Sequence, residues 1–362
     1  MTATASLFLG GAVPPDLPTQ ITQGTHPRVE FLYLRDHFDF NLFSFNDREP
    51  NAPKLLRGVM NRLSPYWGLG VLGRVSGAVR TQVVATGEDV GIPLALLQSL
   101  TGGRRDVTIV THGSYFGSPK FRYLARLLKK NPRLRFLCLS ESLRRQLIDV
   151  HGFSEKQVAN VGYGVDTVFF SPDTVRPVKQ RQIAAAGMAK RDYKTLVAAA
   201  QSLPVEVKIA ADSAWFDADL DIAAEPLPPN VEARSYGDYC GLRDLYAESA
   251  FVVVPLQQAV HACGFAVIAE AMAMGKPVIT TRIIGHSDYV IEGETGFYVP
   301  PGDKDALRER ISYLLENPPI AQAMGQKARQ LIESKFSLER YSERIASAAG
   351  FAVPDCVDKQ LL

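Results

Sequence analysis

The side chains best placed by type and spacing to do chemistry lie between Val260 and Asp303, in VHACGFAVIAEAMAMGKPVITTRIIGHSDYVIEGETGFYVPPGD. A short loop, His261–Ala262–Cys263–Gly264, runs into an apolar stretch expected to be helical over residues 265–274, where Glu270 is the one acid. Gly275 and Lys276 stop that helix, and residues 277–281 read as a buried strand. The N–H groups that open a helix form an anion site, which makes Gly264, Phe265 and Ala266 candidate phosphate contacts. A carboxylate about two turns further on can accept hydrogen bonds from paired sugar hydroxyls. A phosphate and a diol held in that order are the two ends of a nucleotide sugar. The plain alternative is a solvated helix acid at Glu270 and an ordinary loop polar group at His261. Against it, an acid seldom interrupts so apolar a helix without a partner. His261 and Cys263 also have the chemistry of zinc ligands, but two ligands on one loop with no second pair nearby are weak grounds for a metal, and none is expected.

The elements that must position these residues alternate between strand and helix. In the first half, strands are expected at 6–9, 29–34, 83–85, 107–110 and 135–139, with helices at 92–100, 120–130 and 141–150. In the second half, strands are expected at 183–186, 205–210 and 251–255, with helices at 193–202, 242–249, 304–316, 320–335 and 338–348. Strand–helix–strand repetition implies parallel sheets covered on both faces. The chain of 362 residues exceeds what one core usually serves. Phe170–Ser171–Pro172 through Pro177–Val178 reads as a proline-containing linker. The expected fold is therefore α/β: two doubly wound Rossmann-like domains facing a central cleft, residues 1–170 and 171–345, with a tail, 346–362, packing back on the first. Ligands in such sheets sit beyond the carboxyl ends of the strands.

Composition bounds the function classes. The net charge of +2 hides a division: residues 1–170 hold twenty Lys and Arg against thirteen Asp and Glu, and residues 171–362 hold twenty against twenty-five. Such a division bears on partners rather than on fold. No run of eighteen apolar residues suggests a membrane span, and the N-terminus lacks a secretory signal pattern. Cys138, Cys240, Cys263 and Cys356 lie far apart and read as reduced thiols of a cytoplasmic protein.

The 260–303 segment resembles the donor-binding signature of GT-B glycosyltransferases, in particular the retaining family-4 enzymes of glycosyl transferases group 1. That signature has a Glu, seven residues, and a second Glu followed by Ala-Met-Ala. Glu270–Ala271–Met272–Ala273 supplies the second Glu. A strict count back to the first lands on Ala262, and His261 is expected to take its place. Tyr163–Gly164–Val165–Asp166–Thr167, with Phe170 and Pro172, is similar to the segment that precedes the family's interdomain linker; there Asp166 is expected to cap a turn. After the first strand of the second domain the family has Gly-Arg and then a Lys that clamp the donor diphosphate. Here Gly187–Met188–Ala189–Lys190–Arg191 stands at that place, so the resemblance gives Lys190 and Arg191 the clamp. Fixed cations there stabilise a leaving pyrophosphate without metal; the bland reading is a solvated basic turn. The resemblance also sets His112, after the 107–110 strand and before Gly113, near the donor sugar's reacting carbon, the alternative being a satisfied core histidine. Gly10 and Gly11 resemble the glycine loop that lets backbone approach substrate on the acceptor side.

The basic excess gathers between Lys120 and Lys130, where Phe121, Leu124, Ala125 and Leu128 share one helical face and Arg122, Arg126, Lys129 and Lys130 the other. That pattern fits either an ordinary surface helix or peripheral docking on an anionic inner-membrane surface. Phe38, Phe40, Phe43, Phe45, Tyr66 and Trp67, in a loop-and-helix segment, suit an amphiphilic or sugar acceptor. No nucleic-acid motif accompanies the basic face. The sequence thus predicts a metal-independent glycosyltransferase, with no cofactor, that moves a sugar from a nucleotide-diphosphate sugar to an acceptor hydroxyl. The resemblance implies retention of anomeric configuration by front-face displacement. Two other readings stay open: a scaffold that binds nucleotide sugar without transfer, and a nucleotide-sugar epimerase.

Overall fold

The computed structural model describes residues 4–47, 64–77, 79–173, 178–210 and 226–353, which form two compact units. The first unit comprises residues 1–18, 29–162 and 339–362, and the second residues 19–28 and 163–338. The first unit thus ends at Gly162, before the expected 170/171 division, and resumes at Glu339, before the expected 345/346 one.

In the first unit β1 (Ala5–Phe8), β2 (Phe40–Phe43), β3 (Gln82–Ala85), β4 (Asp106–Thr111), β5 (Leu134–Cys138) and β6 (Val158–Asn160) make one sheet in the order β2-β1-β3-β4-β5-β6. Every pairing is parallel. Parallel neighbours need a crossover, and this requirement overturns the strand expected at 29–34. The link from β1 to β2 runs instead through a helix, Glu30–His37, that buries Leu32 and Leu34. The strand lies ten residues later, at Phe40–Phe43, where Phe43 stacks on Phe8 at 5.0 Å and Phe40 on Phe351 at 4.8 Å. Phe40 and Phe43 are therefore core side chains, not aromatics facing an acceptor, whereas Tyr66 and Trp67 are exposed at the start of the helix Pro65–Val75. The final helix, Leu338–Ala348, completes this unit: Arg344, almost fully buried, donates from Nε to the Val161 carbonyl at 2.7 Å.

The second unit repeats the plan with β7 (Lys179–Ala186), β8 (Glu206–Ala210), β9 (Val231–Arg234), β10 (Ser249–Val254), β11 (Val278–Thr281) and β12 (Gly296–Val299), ordered β12-β11-β10-β7-β8-β9 and again parallel. Ile183, Val207, Phe251, Val253 and Ile279 from its strands pack with Leu196, Leu307 and Ile311 from its helices as one core. Asp166 acts as expected, capping a turn through the Val168 N–H at 3.0 Å. It also holds the 19–28 segment in this unit by accepting from the Arg28 backbone N–H at 2.8 Å and from the Arg28 guanidinium at 2.6 and 3.0 Å. In each sheet strand order reverses once, between β1 and β3 and between β7 and β10. Those two reversals are where an open α/β sheet leaves a crevice for ligand.

Candidate functional site

At the second reversal two loops interlock. The loop after β7 leaves Ala186 through Gly187, whose φ of +89° is natural to glycine, and passes Lys190 at φ +56°. A non-glycine residue in the left-handed region costs on the order of 1 kcal/mol or more, so surrounding contacts must hold it there. The contacts are visible. The Gln257 N–H donates to the Lys190 carbonyl at 2.9 Å, the Gln257 amide to the Arg191 carbonyl at 3.2 Å, and the Asp192 N–H to the Pro255 carbonyl at 3.1 Å. The loop after β10 is thereby stitched to the loop after β7. Asp192 then caps the helix Tyr193–Ala200 by accepting from the Thr195 N–H at 3.2 Å.

Lys190 and Arg191 differ in posture. Lys190 is exposed. Arg191 is 8% exposed and folds its guanidinium back, donating from Nε to the Ala186 carbonyl at 2.8 Å and from Nη1 to the Ala189 carbonyl at 2.9 Å. It lies flat against Gly187, where an added Cβ would come within 2.4 Å of Nη2. Arg191 therefore shapes the loop as well as charging it, while Lys190 is the cation presented outward.

The helix Phe265–Ala273 starts beside this loop. Its N-cap, Gly264, has φ +77° and would press a Cβ to 2.9 Å from Val254. No side chain caps the first turn, so Phe265 and Ala266 begin a helix whose N-terminal end attracts negative charge. Cys263, buried just before it, feels both Lys190 and Arg191, although burial dominates and pushes its thiol up. His261 is half-buried on the same loop, whose backbone packs against Gly285: a Cβ there would come within 2.4 Å of the His261 carbonyl.

Glu270 is 8% exposed and accepts from the Tyr246 hydroxyl at 3.1 Å. Burial pushes its carboxyl up to about 7, against the opposing pull of the Tyr246 hydrogen bond and the Arg191 charge. Burial and the facing carboxylate also raise Tyr246 well above the usual phenol range. The structure thus brings together Gly187, Lys190, Arg191, Gly264, Phe265, Ala266 and Glu270, with His261 on the adjoining loop. Sequence reasoning missed Tyr246 and Gln257. Tyr246 sits on the helix Tyr239–Glu248 and Gln257 in a polar loop, and neither position carries a local signal of its distant partner.

The first unit has its own cluster. Gly10 and Gly11 follow β1, and a Cβ on either would meet open space; neither has positive φ. His112 follows β4, half-buried, with Nδ1 3.9 Å from Glu88 Oε2. Glu88 is 3% exposed and is held by the Thr111 hydroxyl at 2.6 Å and the Ser114 N–H at 3.0 Å. The helix carrying it runs Glu88–Thr101, beginning earlier than the expected 92–100, which is why sequence reading passed over this acid. The carboxyl of Glu30 also feels His112, although burial dominates and raises it above the usual range. Gly10, Gly11 and His112 belong to this unit, and Lys190, Arg191, His261 and Glu270 to the other. Among the described residues, no His, Cys, Asp and Glu side chains gather in threes as a metal site.

The helix expected at 120–130 spans Pro119–Leu128, with Phe121, Ala125 and Leu128 buried. Arg122, Arg126, Lys129 and Lys130 are exposed, and Tyr123 is 70% exposed beside them, with the Arg126 guanidinium 5.5 Å from its ring centre. No helix among the described residues is long and apolar enough to cross a membrane.

Comparison with known proteins gives this geometry a family context. Residues 183–317 match the model of glycosyl transferases group 1. The capsular polysaccharide biosynthesis glycosyltransferase CapM of Staphylococcus aureus is 39% identical over 88 residues, 24% of this chain and 23% of CapM. The putative glycosyltransferase EpsD of Bacillus subtilis is 26% identical over 204 residues, 51% of this chain and 52% of EpsD. The chain therefore spans about a quarter to a half of the length of these two relatives. Among solved structures, Anabaena HepE in complex with UDP and glucose superposes with a TM-score of 0.67 at 16% identity, covering 95% of this chain and 99% of HepE. The fold is that of the GT-B glycosyltransferases, and the residues that match the group 1 model lie within its second unit.

Proposed function

We propose, from the group 1 domain and the loops it carries, that this protein is a glycosyltransferase that takes a sugar from a nucleotide-diphosphate donor to an acceptor hydroxyl with retention of configuration. The observation that carries the reading is the joining of an outward lysine, a loop-bound arginine and an uncapped helix start at one strand-order reversal, with Glu270 further along that helix. The diphosphate meets Lys190 and the N–H groups of Phe265 and Ala266, with the Arg191 charge behind the loop. Glu270 accepts from the ribose hydroxyls, and His261 stands in the place of the family's first Glu, toward the sugar. His112 of the first unit hydrogen-bonds the sugar, and Gly10–Gly11 leave room for the acceptor.

As the glycosyl bond to the diphosphate breaks, charge develops on the leaving oxygen, and fixed cations stabilise it without reorganising. In the front-face route a donor phosphate oxygen takes the acceptor's proton as the new bond forms on the same face. The likeness to CapM, EpsD and HepE supports the nucleotide-sugar class, not a particular sugar.

The test incubates the purified chain with UDP-, GDP- and ADP-sugars, with and without a panel of hydroxyl acceptors. Acceptor-dependent release of nucleoside diphosphate is expected. A rearranged donor formed without acceptor would mark an epimerase, and binding with no product a non-catalytic scaffold. Because cations of the chain neutralise the diphosphate in this reading, EDTA is expected to leave transfer unchanged; loss on chelation, restored by magnesium or manganese, would refute that part.

A cytoplasmic setting, with peripheral contact at the inner membrane face through the exposed basic side of the Pro119–Leu128 helix, belongs to the same proposal. The supporting observations are Tyr123 and its neighbouring cations, and Cys138, Cys240 and Cys263, which form no disulfide with one another. Sedimentation with acidic vesicles should fall as salt rises and vanish in R122E/R126E/K129E; equal sedimentation of that variant would end the proposal.

A further inference from the structure

The second unit has a cavity at the amino ends of its strands. Ala247 and Lys276, which line it, stand just before the first residues of β10 and β11, whereas the loops described above follow the last residues of β7 and β10. Its volume is about 470 Å³. Lys276 is 8% exposed and donates from Nζ to the Ala247 carbonyl at 2.8 Å. Among the described residues that carbonyl is its one hydrogen-bond acceptor, and no carboxylate pairs with it. A buried ammonium without a counter-charge is costly to a protein that gains nothing by keeping it. Burial accordingly pushes the amine down to about 8, which still leaves the cation as the main form at neutral pH.

The rest of the wall completes a recognisable chemistry. Arg329 lines the same cavity but is engaged: it donates to the carbonyls of Phe170 at 2.7 Å and Thr167 at 3.0 Å and pairs with Glu333 at 2.7 Å. Gln322, Gln326 and Gln330 also line it, spaced i, i+4 and i+8 on the helix Pro318–Lys335. That spacing puts three carboxamides on one helical face, each able to give and accept hydrogen bonds.

We propose that this cavity is a second ligand site, taking a small hydroxylated anion whose charge pairs with Lys276 and whose hydroxyls meet the carboxamides of Gln322, Gln326 and Gln330. The site is separate from the loops that the transferase reading uses and stands whether or not that reading does. It nevertheless touches the same helix. The N–H groups of Met274 and Lys276 close the end of Phe265–Ala273 on the carbonyls of Glu270 and Ala271, both at 3.0 Å, so an occupant lies against the last turn of the segment that carries Glu270.

The experiment measures melting temperature and calorimetric affinity of the full chain with glycerol 3-phosphate, glycerate, inorganic phosphate and, as the uncharged control, glycerol. Both hydroxylated anions are expected to raise the melting temperature, phosphate alone less, and glycerol not at all. The ratio between glycerol 3-phosphate and glycerate says whether the pocket prefers phosphate or carboxylate. Lys276→Met should lose at least tenfold in anion affinity while melting no lower than wild type, and Lys276→Arg should retain the response. If Lys276→Met does not fold, Gln326→Leu with Gln330→Leu supplies the second reading, again with an expected tenfold loss. Lys190→Ala with Arg191→Ala should leave the anion response intact. No response from wild type, an equal response to glycerol, an undiminished response in Lys276→Met or the glutamine pair, or loss of the response in the loop variant would each overturn the proposal.

Discussion

At its strand-order reversal the first sheet presents carboxyls about an imidazole, Glu88 and Glu30 around His112, whereas the second presents Lys190 and Arg191 beside a bare helix start. Both sheets are six-stranded, parallel and reversed once, so topology does not account for the difference. Bulk charge does not either. Residues 1–170 are the basic half and carry the acidic cluster; residues 171–362 are the acidic half and carry the cations. The plan of the sheet sets where a ligand can sit, and a few loop side chains set what it can be.

The sharpest way to break that comparison is to remove the second unit's cations. Lys190→Ala with Arg191→Ala should weaken nucleoside diphosphate binding by about a hundredfold or more, roughly 3 kcal/mol, measured by calorimetry. Undiminished binding would mean that the loop is only a basic turn. The single variants sharpen it. Arg191→Ala should also lower the melting temperature, because two backbone carbonyls lose their donor, whereas Lys190→Ala should not.

Next in size is the pH dependence of Glu270. Its carboxyl titrates near 7 in the folded chain against an ordinary value of 4.5, so the native state holds a proton that the unfolded state releases in between. Stability from this group is full below about 4.5, falls as pH rises to about 7, and above that the burial costs about 3 kcal/mol. Glu270→Gln should therefore melt higher than wild type at pH 8 and equally at pH 4.5, in the absence of ligand. A gap of the same size at both pH values would place the effect in packing instead.

Gly264→Ala should cost about 1–3 kcal/mol in denaturant unfolding, through its positive φ and its approach to Val254. A neutral result would show that the helix start can shift. The smallest expected effect is His112→Ala on diphosphate affinity, within about 0.5 kcal/mol, while transfer falls. A large loss of affinity would dissolve the division of labour between the two clusters.

The sequence carries some of this arrangement openly. The helix at 265–273 and the strand after it are legible because apolar run, glycine stop and single acid are all local signals. So is the basic pair after β7, which follows a short apolar strand. What escapes is whatever depends on a partner far along the chain. Glu88 looks like any helix-start acid until Thr111 and Ser114 close on it, and Tyr246 looks like a packing residue until it meets Glu270. The segment 29–34 misleads for a related reason: its alternation suits a strand, but two parallel neighbours on either side need a crossover, and the helix supplies it.

The return of the chain to its first unit at Glu339 carries a consequence for synthesis. On the ribosome, the β1–β6 sheet emerges long before the helix whose Arg344 seals Val161. The second unit, by contrast, has nearly its whole sequence in one run from 163 to 338, preceded only by the 19–28 strap that Asp166 secures. The half translated first is therefore completed last, when the Leu338–Ala348 helix follows the second unit out of the ribosome and brings Arg344 to Val161.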